Sequence, residues 1–214
     1  MDAVLKQKKR ISLLDNKGSL NGRVPVLLVD ANQSRASLLK RALIEYGYDI
    51  VAKLDDVSNL THQSRQYSFD AIVIGIDAPD TNALSAIAAL NVENPHPIVM
   101  FAEKDTPYII KTAVKAGVNA YIVDDIQPQR LKTIITVAIL RFKEHQALVQ
   151  ELEQTKTKLE QRKVLERAKG LLMNKQGISE EEAYASIRKV AMDKGKTLAV
   201  TAENIIDVFS LIER

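Results

Sequence analysis

The sequence predicts an α/β domain built on a parallel sheet, then a long helix, then a small all-helical end. Three observations predict it. Between Val24 and Val123, short apolar runs of strand length alternate with stretches of helical periodicity, as expected when helices cover both faces of a parallel sheet. From Gln127 to Asn174 there is no proline after Pro128 and no glycine before Gly170, and good helix formers dominate. Beyond Gly177, two further helix-period segments follow.

Residues 1–23 are polar and basic, with Gly18 and Gly22, and read as a flexible tail with one short helix near Val4 to Leu14. Strands are expected at Val24–Asp30, Asp49–Leu54, Asp70–Ile76, Pro97–Phe101 and Asn119–Val123, each nearly continuously apolar. Helices are expected at Gln33–Tyr46, Val57–Gln66, Thr81–Leu90 and Thr106–Ala116, with another starting near Gln127. The first places Leu38, Leu39, Ala42, Leu43 and Tyr46 on one stripe and stops at Gly47. Five strand–helix units fit a doubly wound, flavodoxin-like order, which puts functional residues at the carboxyl ends of the strands.

In the long helix, Leu131, Ile134 and Ala138 start an apolar stripe that resumes at Leu148, Leu152, Thr155 and Leu159, with a weak stretch at Arg141 and His145. About 45 helical residues would span roughly 65–70 Å, so the stripe needs cover. A homodimer through a parallel coiled coil is the expected cover; a helix folded back on its own domain competes with it. His145 reads as an exposed, silent residue rather than a pH-sensitive one.

At the C-terminal end Gly177 closes the long helix, and Ser179 with Glu182 forms a capping box that opens the next. That helix carries Ala183, Ile187, Val190 and Ala191 on its apolar side; a turn over Asp193 to Thr197 leads to a third bearing Leu198, Ala202, Ile205, Ile206 and Phe209. Three such helices can share one core, a small bundle. The expected division is therefore 1–23 tail, 24–126 sheet domain, 127–161 coiled-coil linker and 162–214 helical module.

Composition narrows the class. With 214 residues and 46% hydrophobic content the chain can bury a core for one domain and a smaller module. There is no cysteine, and His62, His96 and His145 are too scattered for a ligand cluster, so no metal or other cofactor is expected. No run reaches the length of a membrane span and no signal peptide is evident, so a cytoplasmic protein with no membrane association is expected. A net charge of +3 does not by itself indicate nucleic acid; the placement of the charges must decide.

The segments VLLVDANQSRASLLKRAL, FDAIVIGIDAPD and AGVNAYIV resemble the first, third and fifth strand regions of the response-regulator receiver domain. In that family an acidic pair after strand one holds magnesium, an aspartate ending strand three is phosphorylated, and a hydroxyl residue and a lysine complete the switch. The resemblance implies a degenerate copy. Asp30 keeps one acid, but its neighbour is Ala31; counting back from Pro79, the acceptor position falls on Gly75. The hydroxyl position falls on Phe101 or Ala102 and the lysine position on Asp124, which reverses the charge. No phosphoacceptor is expected, and Asp77 reads as an ordinary loop residue.

The closing stretch RKVLERAKGLLMNKQGISEEEAYASIRKVAMDKGKTLAVTAENIIDVFSLIER resembles the ANTAR domain, the RNA-binding module of antitermination regulators of the AmiR and NasR type. Ala168, Lys169, Gly170, Leu172, Met173, Ala183, Ile187, Arg188, Ala191, Met192, Leu198 and Ala202 carry it. With a degenerate receiver and a coiled coil, the chain is most similar to nitrate-responsive, NasT-like regulators, which implies leader-RNA stem-loops and a NasS-like nitrate sensor as partners. Candidate RNA contacts are Arg162, Lys163, Arg167, Lys169, Lys175, Arg188 and Lys189, since cations grip phosphates. Gly170 inside a helix costs about 1 kcal/mol relative to alanine; core packing is its first explanation, and close approach of RNA the second. Met173 and Met192 read as core, and Tyr184 as the main stacking candidate, with burial as the equal alternative.

The expected function is transcription antitermination, controlled by a sensor protein that withholds the dimer from its two stem-loops until a signal arrives. The alternative is a DNA-binding regulator, because a three-helix end can imitate a helix-turn-helix. A scaffold that acts only through dimerisation is a third reading. An enzyme is not expected: no Walker loop, nucleophile–base arrangement or metal motif is present.

Overall fold

A computed structural model of the chain describes residues 23–104, 106–123 and 127–212, in two compact units divided between His145 and Gln146. The expected N-terminal helix and Asp124 lie outside the described residues.

The first unit alternates β1 (Val24–Asp30), α1 (Gln33–Glu45), β2 (Tyr48–Leu54), α2 (Leu60–Gln66), β3 (Ala71–Ile76), α3 (Thr81–Glu93), β4 (Ile98–Ala102), α4 (Pro107–Ala116) and β5 (Ala120–Val123). The strands form one parallel sheet in the order β2-β1-β3-β4-β5, the flavodoxin-like arrangement. Local chemistry starts the helices. Asn32 caps α1 by accepting from the Ser34 and Arg35 backbone N–H groups, and Asp80 and Thr106 cap α3 and α4 in the same way.

The sheet is buried on both faces. Leu27, Val29, Ile72, Ile74, Ile98 and Met100 point toward α2, α3 and α4. Val26, Leu28, Val73, Val99 and Phe101 point the other way, toward α1 and the first turns of α5 (Pro128–Gln176). Leu131 and Ile135 are completely buried there, Ala138 is 1% exposed, and Ile134 packs against the same cluster. This corrects the expected dimer seam at its start. Leu131, Ile134 and Ala138 complete the core of their own sheet domain, because the sheet's bare face is the nearest apolar surface and claims the first turns of the helix.

The second unit comprises the rest of α5, α6 (Glu180–Asp193) and α7 (Leu198–Ile212). Its core is built on Ala168, Leu172, Ala183, Ile187 and Ala202, with Val164, Leu165, Met173, Leu198 and Phe209 around it. Helix α5 ends one residue before Gly177, whose φ of 65° lets the chain leave the helix. The Ser179–Glu182 capping box is formed in both directions: the Glu182 N–H donates to the Ser179 hydroxyl, and the Ser179 N–H donates to the Glu182 carboxylate. The Ser179 backbone N–H, and after it the Ser179 hydroxyl, donate to the Glu182 carboxylate and hold it below its ordinary range.

Candidate functional site

The strand ends that should carry a phosphotransfer pocket carry an ion cluster instead. Asp30 ends β1 opposite Gly75 of β3, and Gly75 lies opposite Phe101 of β4. The Asp30 side chain is entirely buried. Arg35, in the first turn of α1, reaches back to it: Nε donates to Oδ2 at 2.8 Å and Nη2 to Oδ1 at 3.0 Å, a bidentate pair. Its Nη1 also donates to Asp77 at 2.7 Å and to Glu103 at 3.2 Å. Hydrogen bonding to Asp30 leads the causes that raise the guanidinium pKa above its ordinary value.

The cluster fills the acceptor's place. A Cβ on Gly75 would stand 2.0 Å from Asp30 Oδ2 and 2.9 Å from Arg35 Nε. Phe101 and Ala102 are buried and bring no hydroxyl, while Ala31 is exposed and brings no carboxylate. A divalent ion does not fit these residues, because the guanidinium already lies against the carboxylates such an ion would need. Asp77 is spent on the same arginine, at the edge of an acid-rimmed cleft of about 860 Å³. Reading the sequence missed Arg35. The available signal was an arginine five residues after Asp30, one helical turn past the strand end.

In α5 beyond the sheet domain, the apolar stripe is uncovered. Leu148, Leu152 and Leu159 are each more than half exposed, and Thr155 is exposed between them. Within the first unit, Val137 and Leu140 of the same helix are also exposed, at 42% and 59%. His145 is exposed, as expected.

In the second unit Arg162, Lys163, Arg167, Lys175, Arg188 and Lys189 are all on the surface. Lys169 is not. It is 7% exposed, and its ammonium donates to Glu180 at 2.6 Å and pairs with Glu166 at 2.9 Å. Those bonds, Glu180 first, raise the Lys169 pKa and in turn hold Glu180 below its ordinary range. Lys169 is thus corrected from a phosphate contact to a fastener between α5 and α6. Met192 is also corrected, being 70% exposed rather than core, because Ala191 takes the inward position beside it. Met173 is partly buried against the core and Tyr184 is 39% exposed. Gly170 has nothing within 4 Å of where its Cβ would be, so core packing does not explain it.

Family comparisons agree with this layout. The response regulator receiver domain matches residues 26–136, just over half of the chain, and the ANTAR domain matches residues 153–206. The chain belongs to the ANTAR-containing, response-regulator-like proteins. Across 79% of its length this ANTAR regulator is 30% identical to the transcriptional regulatory protein PdtaR of Mycobacterium tuberculosis, covering 82% of that protein. It is 35% identical to the nitrate regulatory protein of Klebsiella oxytoca over 88 residues, 41% of this chain and 22% of that one. Among solved structures, the signal receiver domain of an HD domain-containing protein from Pseudomonas fluorescens superposes with a TM-score of 0.51 at 16% identity, covering 62% of this chain and 98% of that one, which speaks for the fold alone. The matched families are regulatory rather than enzymatic. Among the described residues no helix is long and apolar enough to cross a membrane.

Proposed function

We propose that this ANTAR regulator is a transcription antiterminator that binds stem-loops in leader RNA, works as a homodimer, and answers to a sensor protein rather than to phosphorylation. One observation carries the control reading: the Asp30–Arg35 pair occupies the volume an acceptor side chain would need at Gly75. With its own cation built in, the receiver domain has no use for a phosphoryl group and is left with protein contact as its means of regulation. RNA binding is supported by the ANTAR match and by the exposed cations Arg162, Lys163, Arg167, Lys175, Arg188 and Lys189. The bare stripe of Leu148, Leu152 and Leu159 supports a second copy of the chain as its cover, and two ANTAR modules could then engage two stem-loops with a gain in effective concentration. The likeness to a nitrate regulatory protein favours nitrate or nitrite assimilation as the regulated process and a NasS-like sensor as the partner.

The test is competition. A labelled tandem stem-loop RNA should bind the full chain with a steep salt dependence, and duplex DNA of matched length at matched salt should fail to displace it. Displacement by the DNA would favour a DNA-binding regulator, and no salt-sensitive binding to either would leave a scaffold. Incubation with acetyl phosphate and magnesium should leave the mass of the protein unchanged.

A further inference from the structure

Lys163, Arg167, Gly170 and Asn174 follow one another along α5 at spacings of four, three and four residues, so they share one face. It is not the face that packs: Ala168 and Leu172 point into the core, whereas Lys163, Arg167 and Asn174 are exposed. In the middle sits a glycine that nothing among the described residues requires. A Cβ there would meet open space, and Gly170 is not among the glycines with positive φ. Alanine would suit the helix better. What glycine alone provides is a helix backbone that another molecule can approach at closer than side-chain distance.

The charges say which molecule. Arg167 and Lys163 lie one and two turns before the gap, and Asn174, one turn after it, adds an amide that can donate. Of the nearby carboxylates, Glu160 lies 3.3 Å from the Lys163 ammonium and Glu166 shares the Lys169 ammonium with Glu180, so Arg167 is the cation of this face without an ion pair among the described residues. A phosphodiester is narrow, anionic and rich in acceptors, which matches a notch beside an arginine; a second helix would bring side-chain bulk and bury Arg167 without a partner. We infer that the Lys163–Arg167–Gly170–Asn174 face is the strip on which the RNA sugar–phosphate backbone lies, with Gly170 at the point of closest approach. This rests on the RNA-binding reading above.

The experiment uses the full chain and, as probe, a fluorescent stem-loop RNA chosen from transcripts that crosslink to it. Gly170→Ala should raise the melting temperature of the ANTAR module, by about 4–8 °C, yet weaken RNA binding by about tenfold, with Gly170→Leu weaker still. Arg167→Gln should lower the slope of log affinity against log salt by about one without changing the melting temperature. Stability and binding thus move in opposite directions, which a misfolded variant cannot imitate. Gly170→Ala binding within twofold of the parent would overturn the inference. So would unchanged RNA affinity with an altered monomer–dimer equilibrium, which would assign the face to a second copy. If the unaltered chain binds no RNA, the RNA-binding reading falls first and takes this one with it.

Discussion

The receiver domain and the ANTAR module each hold a basic side chain among carboxylates, but over different ranges of sequence. Arg35 gathers Asp30, Asp77 and Glu103, which are 5, 42 and 68 residues away. Lys169 gathers Glu166 and Glu180, 3 and 11 residues away. The first cluster ties the ends of three strands together beside Gly75; the second fastens two consecutive helices. Positive charge therefore does not announce a role. What decides it is which element ends the fold brings within reach.

The largest effect should come from the long-range cluster. Arg35→Ala leaves the buried Asp30 with the Asn32 backbone N–H as its remaining donor among the described residues, and should destabilise the receiver domain by about 4 kcal/mol in denaturant melts. Arg35→Lys should recover only part of this, because an ammonium cannot form the bidentate pair. Full recovery by lysine would mean that charge rather than geometry holds the cluster.

Along α5 the same contrast separates a finished surface from an unfinished one. Leu131→Ala should cost about 3 kcal/mol, read as loss of receiver stability at any protein concentration, since Leu131 is completely buried in the domain's own core. A loss confined to dimerisation would return Leu131 to the seam.

The short-range cluster should have a smaller effect, and one that depends on pH. Glu180 is held below its ordinary range, so its contribution is present above the ordinary carboxyl pKa and is lost as pH falls through the lowered value. Lys169 is raised, so its share is present below the ordinary lysine pKa and is lost as pH climbs through the raised value. Lys169→Met should therefore lower the melting temperature of the ANTAR module at neutral pH. The difference from the parent should close in acid, once Glu180 is protonated. A gap that stays constant from neutral pH into acid would show that the lysine stem, not the ion pair, matters.

Smallest for the monomer is Leu152→Ala, which removes an exposed side chain and should change domain stability by no more than about 0.5 kcal/mol. Light scattering across a dilution series should nevertheless show it as a weaker dimer than the parent, if the stripe is where two copies meet.

The elements were legible because their signals are local. Strand-length apolar runs located all five strands to within a residue or so, and Ser179 with Glu182 placed the start of α6. The glycine at position 75 was legible too, but the side chains that crowd it were not. The stripe of α5 was legible as a pattern but not as a destination. Leu131 and Leu148 look alike in sequence, yet one is buried under a sheet and the other is exposed.

By itself, then, the sequence determined where the chain is strand or helix, with two helix ends, the start at Leu60 and the stop at Glu93, displaced by three residues, because each depends on neighbours a few residues away. The tertiary structure alone decided that Arg35 fills the vacated pocket, that Lys169 turns inward to Glu180 while Met192 turns outward, and that Gly170 faces open space. Those outcomes depend on which distant groups share a few ångströms, and a side chain's partners are set by the packing of whole elements rather than by its own identity.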